Sequence, residues 1–187
     1  MNWCICRKSS KCKDFPVDLG CLFLGDASKD IDPRLGRPVT KEKAKEHIRR
    51  CRAAGLVQMV GRNKLDAVWL DVNPGERLLS ICNCCPCCCL WKMLPELSSK
   101  ISSKVTRMPG LRVLVTERCN GCGKCAEGVC FVEAISMKGG MAVISDECRG
   151  CGRCVALCPV KAIDLIIGDM EFVEKSITRI SSAVDVA

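Results

Sequence analysis

A cysteine motif that occurs twice in the second half of the chain constrains the possible folds more than any other feature. Residues 119–135 and 148–163 each begin with a Cys-x-x-Cys-x-x-Cys triad, which a fourth cysteine follows, Cys130 in the first copy and Cys158 in the second. The copies align at an offset of 29 residues, which falls to 28 after one extra residue in the first. Such self-similarity indicates two copies of one structural unit.

The number and grouping of the cysteines indicate metal binding rather than disulfide bonds. The 187 residues include 19 cysteines, many of them in runs where neighbouring sulfurs converge on one point. A disulfide needs two cysteines in a specific mutual orientation, whereas a metal centre needs several thiolates gathered together. The odd count, and an N-terminus that lacks the apolar core of a secretory signal, also argue against a secreted scaffold. We therefore expect a cytoplasmic protein of an anaerobic prokaryote, with its thiols kept reduced.

The single histidine, His47, limits the kinds of cofactor that the chain can hold. The sequence has no Cys-x-x-Cys-His motif for covalent haem, no Cys/His zinc finger and no nucleophile–histidine pair. Sites made only of thiolates remain. In each triad, three thiolates can reach three corners of one compact cube, and the glycines between them permit tight turns and close approach of the backbone.

Residues 112–168 resemble a bacterial-type ferredoxin with two [4Fe-4S] clusters, in which the fourth cysteine of each run binds the cluster of the other run. The resemblance implies the following ligands: Cys119, Cys122, Cys125 and Cys158 for one cluster, and Cys148, Cys151, Cys154 and Cys130 for the other. The sequence departs from the family pattern at one place, because an extra residue precedes Cys130 and Phe131 replaces the expected proline. We expect the extra residue to bulge the short helix that leads to Cys130. A pair of Cys4 zinc ribbons is disfavoured, because it would need only paired knuckles.

The resemblance implies a ferredoxin-type (βαβ)2 domain. Together with a small Cys-rich α/β N-terminal module, whose elements are predicted below, this makes the expected fold class α+β. We predict paired outer strands over residues 112–116 and 162–167, and a hairpin over 134–144 that turns at Gly139-Gly140. The predicted divisions are the module at 1–94, a linker with a short helix at 95–111, the two-cluster domain at 112–168, and an amphipathic C-terminal helix at 169–187. That helix has an apolar stripe formed by Val173, Ile177, Ile180 and Val184, suited to the module or to a partner subunit.

The N-terminal module carries its own candidate metal ligands, nine cysteines in two groups. They are Cys4, Cys6, Cys12 and Cys21, and, far downstream, Cys82, Cys84, Cys85, Cys87 and Cys88. The arrangement resembles a module associated with ferredoxin-domain proteins of anaerobes, and the resemblance implies no activity. One or two further iron–sulfur clusters are the favoured interpretation, and a zinc or redox-thiol site is the alternative. Palmitoylation and a membrane span are disfavoured, the latter because residues 78–94 include Asn83, Pro86 and Lys92.

Between the two cysteine groups, the sequence predicts a helix that begins after Thr40 as N-cap, runs from 41 to 54 and stops at Gly55. Cys51 falls on its apolar face, so we expect Cys51 to lie in the core, and we expect His47 to be an ordinary surface or packed residue. Residues 56–60 and 65–72 are predicted strands of a small sheet that presents the cysteine string, residues 82–89, at its end.

The charge distribution bears on the partners. Residues 1–111 hold 20 Lys and Arg against 11 Asp and Glu, and the whole chain has a formal charge of +8. Each four-iron cluster with its four thiolates contributes two negative charges, so two clusters lower the total to about +4. We therefore expect no nucleic-acid partner. The predicted function is transfer of single electrons between redox proteins, either as a separate carrier or as a subunit of a larger oxidoreductase complex. The alternatives are a catalytic N-terminal cluster with an open iron that reduces a disulfide or small substrate, and a metal-binding or metal-delivery module.

Overall fold

The computed structural model describes residues 1–183 and divides the chain into two compact units. One unit comprises Met1–Cys88 together with the segment that begins at Glu174, and the other comprises Cys89–Val173. Both contain helices and strands. The α+β class is therefore confirmed.

The N-terminal unit is built on a three-stranded antiparallel sheet. Its strands and helices are α1 (Ile5–Ser9), β1 (Leu22–Leu24), α2 (Lys41–Ala53), β2 (Val57–Gly61), α3 (Lys64–Leu70) and β3 (Leu79–Cys84), with short 3-10 helices at Asp26–Asp30 and Gly75–Arg77. The strand order is β1-β3-β2, so β3 is central. The cysteine string begins inside β3, at Cys82, and continues past the end of that strand at Cys84.

Helix α2 forms as the sequence predicts. The Thr40 side chain accepts a hydrogen bond from the backbone amide of Lys43 and so caps the first turn. The helix ends before Gly55, which adopts the left-handed conformation (φ 77°) that glycine tolerates best. His47 and Cys51 are both buried, which confirms the core position of Cys51 and makes His47 a packed residue.

One of the two strand predictions in this unit is wrong. Residues 56–60 correspond to β2, but the segment predicted as a strand at 65–72 is helix α3. The side chain of Asn63 accepts a hydrogen bond from the amide of Leu65, which starts the helix. The buried residues Asp66 and Leu70 are four apart, on one helical face. Exposed apolar residues such as Val68 hid this pattern in the sequence.

The second unit contains two separate antiparallel strand pairs. Its elements are a 3-10 helix at Leu90–Glu96, α4 (Ser99–Ser102), β4 (Leu111–Val115), β5 (Ile135–Lys138), β6 (Met141–Ile144), α5 (Arg153–Leu157) and β7 (Ile163–Ile167). Strand β4 pairs with β7 and β5 pairs with β6, as predicted. Gly139 and Gly140 both have positive φ and form the hairpin turn, also as predicted.

Most cysteines of the second unit lie in or against its apolar core. Val113, Ile135, Ala142 and Ile163, one from each strand, are buried together with Cys125. Five further cysteines pack around them: Cys119, Cys130, Cys148, Cys154 and Cys158. Both strand pairs therefore contribute to one apolar centre that is surrounded by thiols.

The last described element is helix α6 (Met170–Ala183), and the sequence predicted a helix in this part of the chain. Ile177, in its predicted apolar stripe, is 59% exposed. Val184, the last member of that stripe, lies outside the described residues. Within residues 1–183, no helix combines the length and the apolar character that crossing a bilayer requires.

Candidate metal centres

The first cavity of the second unit is lined by four cysteines that the sequence assigned to one cluster. They are Cys119, Cys122, Cys125 and Cys158. The other walls of this small cavity are mainly apolar, including Met137, Pro159 and Ile163. Three of the thiols come from the first cysteine run and the fourth comes from the second.

The second cavity mirrors the first. Its cysteines are Cys130, Cys148, Cys151 and Cys154. Here three thiols come from the second run and one from the first. The runs are therefore interlocked, because each cavity is completed by the last cysteine of the opposite run.

Backbone amides point at the sulfurs in both halves of the repeat. The amide of Ala134 donates to Cys130 Sγ (3.3 Å), and that of Ala162 donates to Cys158 Sγ (3.2 Å). Both hydrogen bonds span four residues, so the local geometry is the same despite the extra residue before Cys130. Such donors favour the thiolate form and tune a bound cluster.

The extra residue changes the structure just before Cys130. The second run forms helix α5 ahead of Cys158, whereas residues 124–128 of the first run form only turns and bends. Gly128 there has φ 65°, in the left-handed region. The prediction of a bulged helix is therefore wrong, because residues 124–128 form no helix, but Cys130 still lines its cavity.

The ionisation of the cavity cysteines would be favoured by a bound cation. Burial, followed by the nearby thiols of Cys151, Cys148 and Cys130, raises the pKa of Cys154 to about 12. At the other cavity, hydrogen bonds from the amides of Ala142 and Gly121 lower the pKa of Cys119. Four crowded thiols in an apolar wall cannot all ionise alone, because each thiolate disfavours the next. A metal cofactor removes that conflict, so the donor set fits an iron–sulfur cluster.

The two cavities differ in charge. The first cavity has no Lys, Arg, Asp or Glu among its lining residues, whereas the second is lined by Arg149 and Arg153. Arg153 is 6% exposed, and its charge acts to lower the pKa of Cys151, although burial raises that pKa overall. A cluster in the second cavity would lie in the more positive environment.

In the N-terminal unit, four of the nine candidate cysteines come together. The sulfur atoms of Cys12, Cys85, Cys87 and Cys88 all lie within 4.8 Å of one another. Cys12 Sγ is 3.6 Å from Cys87 Sγ, and the amide of Cys88 donates to Cys85 Sγ at 3.3 Å. We call these residues the Cys12 quartet.

The thiols of the Cys12 quartet affect one another's ionisation. Burial acts to raise the pKa of Cys12, but hydrogen bonds from the backbone of Phe15 and Asp14 and from thiols outweigh it, so the net shift is downward. Burial and hydrogen bonds with neighbouring thiols raise the pKa of Cys87. The surroundings therefore favour the thiolate form at Cys12 and disfavour it at Cys87.

The other five candidate cysteines of this unit lie outside the Cys12 quartet. They are Cys4, Cys6, Cys21, Cys82 and Cys84. A hydrogen bond with the Cys21 thiol, together with burial, raises the pKa of Cys82. A hydrogen bond with the Cys6 thiol and burial likewise raise the pKa of Cys4.

Sequence reasoning missed the buried polar residues that position the cysteine string. Arg7 is fully buried and donates hydrogen bonds to three backbone carbonyls, those of Pro16, Leu19 and Asn83. Asn83 is 1% exposed, and its side-chain Nδ2 donates a hydrogen bond to the backbone carbonyl of Gly20. The same carbonyl also accepts a hydrogen bond from His47 Nε2. The only sequence signals were an arginine directly after Cys-x-Cys and an asparagine inside the string.

The comparisons with known proteins agree with a metal function. Residues 126–167 match the family model described as the LdpA Fe-S cluster-binding domain. The matched segment contains the cysteines of the second run, together with Cys130. The chain matches no curated protein and no solved structure. Together with the two sets of cysteines that line the cavities of the second unit, the match supports an iron–sulfur protein.

Proposed function

We propose that the protein transfers single electrons between redox proteins through two [4Fe-4S] clusters in its second unit. Cys119, Cys122, Cys125 and Cys158 would bind one cluster, and Cys148, Cys151, Cys154 and Cys130 would bind the other. The observation that carries the proposal is the lining of two cavities by these two sets of cysteines. When bound, each cluster supplies a site that accepts and releases one electron.

The interlocked arrangement supports electron transfer rather than a purely structural role. Each run provides ligands to both cavities, and both cavities adjoin the same core around Val113 and Ile163. Two clusters held in this way would lie close together, and the residues around them have no acid–base or nucleophilic group arranged for catalysis. We therefore propose a carrier, or the electron-transfer subunit of a larger oxidoreductase, that works in the cytoplasm.

The exposed cysteine of the first cavity suggests where electrons enter or leave. Cys122 is exposed, whereas Cys125 is buried. In the second cavity, Cys151 and Cys154 are both partly buried. A partner redox protein would approach most closely at the first cavity, on the Cys122 side.

A redox experiment tests this function. Protein purified without oxygen should be brown, should bleach on addition of dithionite, and should return its electrons to a one-electron acceptor such as oxidised methyl viologen or a ferredoxin of higher potential. Cys125→Ser and Cys154→Ser should each remove about half of the bleachable absorbance, because each alters one cavity. Cys51→Ser is the matched control, since Cys51 lies in neither cavity, and its absorbance should equal that of the wild type. A stable protein without bleachable absorbance would refute the proposal.

A further inference from the structure

The Cys12 quartet has the dimensions of a site for one metal ion. In a tetrahedral site with zinc–sulfur bonds of about 2.3 Å, the sulfur atoms are about 3.8 Å apart. All four sulfurs of the quartet lie within 4.8 Å of one another, and Cys12 Sγ and Cys87 Sγ are 3.6 Å apart. A small inward movement would give tetrahedral geometry.

The same spacing is too tight for a cubane cluster. The four thiolates of a [4Fe-4S] cluster bind four different irons at separate corners, so their sulfurs stand further apart than four sulfurs that share one ion. Among residues 1–183, the Cys12 quartet is the one group of three or more potential ligands gathered within 4.8 Å. The eight cysteines of the second unit do not meet that limit.

The local chain supports a built site rather than a chance contact. Three of the sulfurs come from one turn at the end of β3, where Cys85 is buried and the amide of Cys88 donates to its sulfur. The fourth, Cys12, is 73 positions before Cys85, and its amide donates to the carbonyl of Arg7. Because the Arg7 side chain donates to the carbonyl of Asn83 on β3, the Cys12 loop is fixed beside the turn.

We propose that Cys12, Cys85, Cys87 and Cys88 bind a single Zn²⁺ ion that joins the Cys12 loop to the cysteine string. Zinc accepts four thiolates in a closed tetrahedral shell, which leaves no open position for a substrate and no redox change. The ion therefore has a structural role. Deprotonation of the four thiols accompanies binding, and the four protons pass to solvent. The proposal is independent of the clusters proposed for the second unit.

Metal analysis of the full-length protein tests the site. The protein is produced without oxygen in medium that supplies both iron and zinc, and bound metals are measured by mass spectrometry. We expect about one zinc per chain, and a zinc-edge X-ray absorption spectrum with about four sulfur neighbours at about 2.3 Å. In Cys12→Ser and Cys88→Ser, bound zinc should fall about tenfold, while the iron content and brown absorbance stay unchanged.

Cys89→Ser is the matched control, because Cys89 follows the quartet directly in the string but is not part of it. It should keep its zinc. Equal zinc loss in the control, oxygen or nitrogen neighbours in the spectrum, iron in place of zinc, or a Cys12–Cys87 disulfide in the freshly isolated protein would each overturn the assignment. The X-ray spectrum needs only the wild-type chain, so the proposal stays testable if a variant fails to fold. If the zinc assignment is overturned, the proposal of two iron–sulfur clusters in the second unit still stands, because it is tested by the bleachable absorbance.

Discussion

The guanidinium of Arg7 donates a hydrogen bond to the backbone carbonyl of Asn83, with 2.9 Å between Nη1 and the oxygen. The two residues are 76 positions apart, and both are almost completely buried. This bond joins the segment with the first cysteines to the strand that ends in the cysteine string. It therefore holds the segment that carries Cys6 and Cys12 next to that strand.

Loss of the Arg7 side chain should destabilise the N-terminal unit. Arg7→Met leaves three backbone carbonyls, two of them buried, without their charged donor, so we expect the free energy of unfolding to fall by about 2–4 kcal/mol. Amide hydrogen exchange, read separately for the two units, measures the effect. Arg52→Met, at an exposed position of α2, serves as the control. Equal protection of the N-terminal unit in both variants would contradict the role of Arg7.

A methyl group at Gly20 should also disrupt this unit. A Cβ atom there would collide with the backbone of Asn2, Trp3 and Cys4. The Gly20 carbonyl also accepts hydrogen bonds from His47 and Asn83, so the backbone has little freedom to move away. We expect Gly20→Ala to cost about 2–4 kcal/mol of stability.

Thermal unfolding followed by circular dichroism compares Gly20→Ala with Gly61→Ala. A Cβ at Gly61 meets no atom within 4 Å, and the backbone there is not in the left-handed region. Gly61→Ala should therefore unfold close to the wild-type temperature. Similar temperatures for the two variants would show that the close approach at Gly20 is unimportant.

The arginines that line the second cavity should give the two proposed clusters different reduction potentials. Nearby positive charge stabilises the reduced, more negative cluster, so the cluster at Cys151 and Cys154 should have the higher reduction potential. Arg153→Met should lower that potential by tens of millivolts and leave the other unchanged. Redox titration monitored by electron paramagnetic resonance measures both. An equal shift of the two potentials would contradict a local effect of Arg153.

Cys51 should be inert in the folded protein. Burial raises the pKa of its thiol to about 11, so at pH 8 only about one molecule in a thousand carries the thiolate there. Iodoacetamide should therefore leave Cys51 unmodified at pH 8 in the native protein, and should modify it after unfolding. Peptide mass spectrometry measures the modification. Rapid labelling of Cys51 in the native protein would contradict its placement in the core.

The raised pKa of Cys51 also sets a pH dependence of stability. The folded state holds this proton more tightly than the unfolded chain, whose thiol has the ordinary value of 9.0. The contribution to stability is therefore fully present below about pH 9 and declines as the pH rises through about 11. Cys51→Ala should remove this decline, which unfolding measurements at pH 8 and pH 10 on both proteins can detect.

Local patterns made most of the second unit predictable. The repeated cysteine motif predicted which cysteines line each cavity, and Gly139-Gly140 predicted the hairpin turn. Both strand pairs could therefore be predicted from short segments of sequence. The grouping of Cys12 with Cys85 was not predictable in the same way, because it depends on the buried side chains of Arg7 and Asn83. A buried arginine that binds only carbonyls leaves no pattern in the sequence around it. The strand predicted at 65–72 failed for a related reason, since exposed apolar residues hid the helical face of α3.

Iron and acid-labile sulfide analysis of the anaerobically purified, full-length protein tests the central claim most directly. Two four-iron clusters in the second unit predict about eight irons and about eight sulfides per chain. Stoichiometric zinc at both cavities with no acid-labile sulfide would contradict the account.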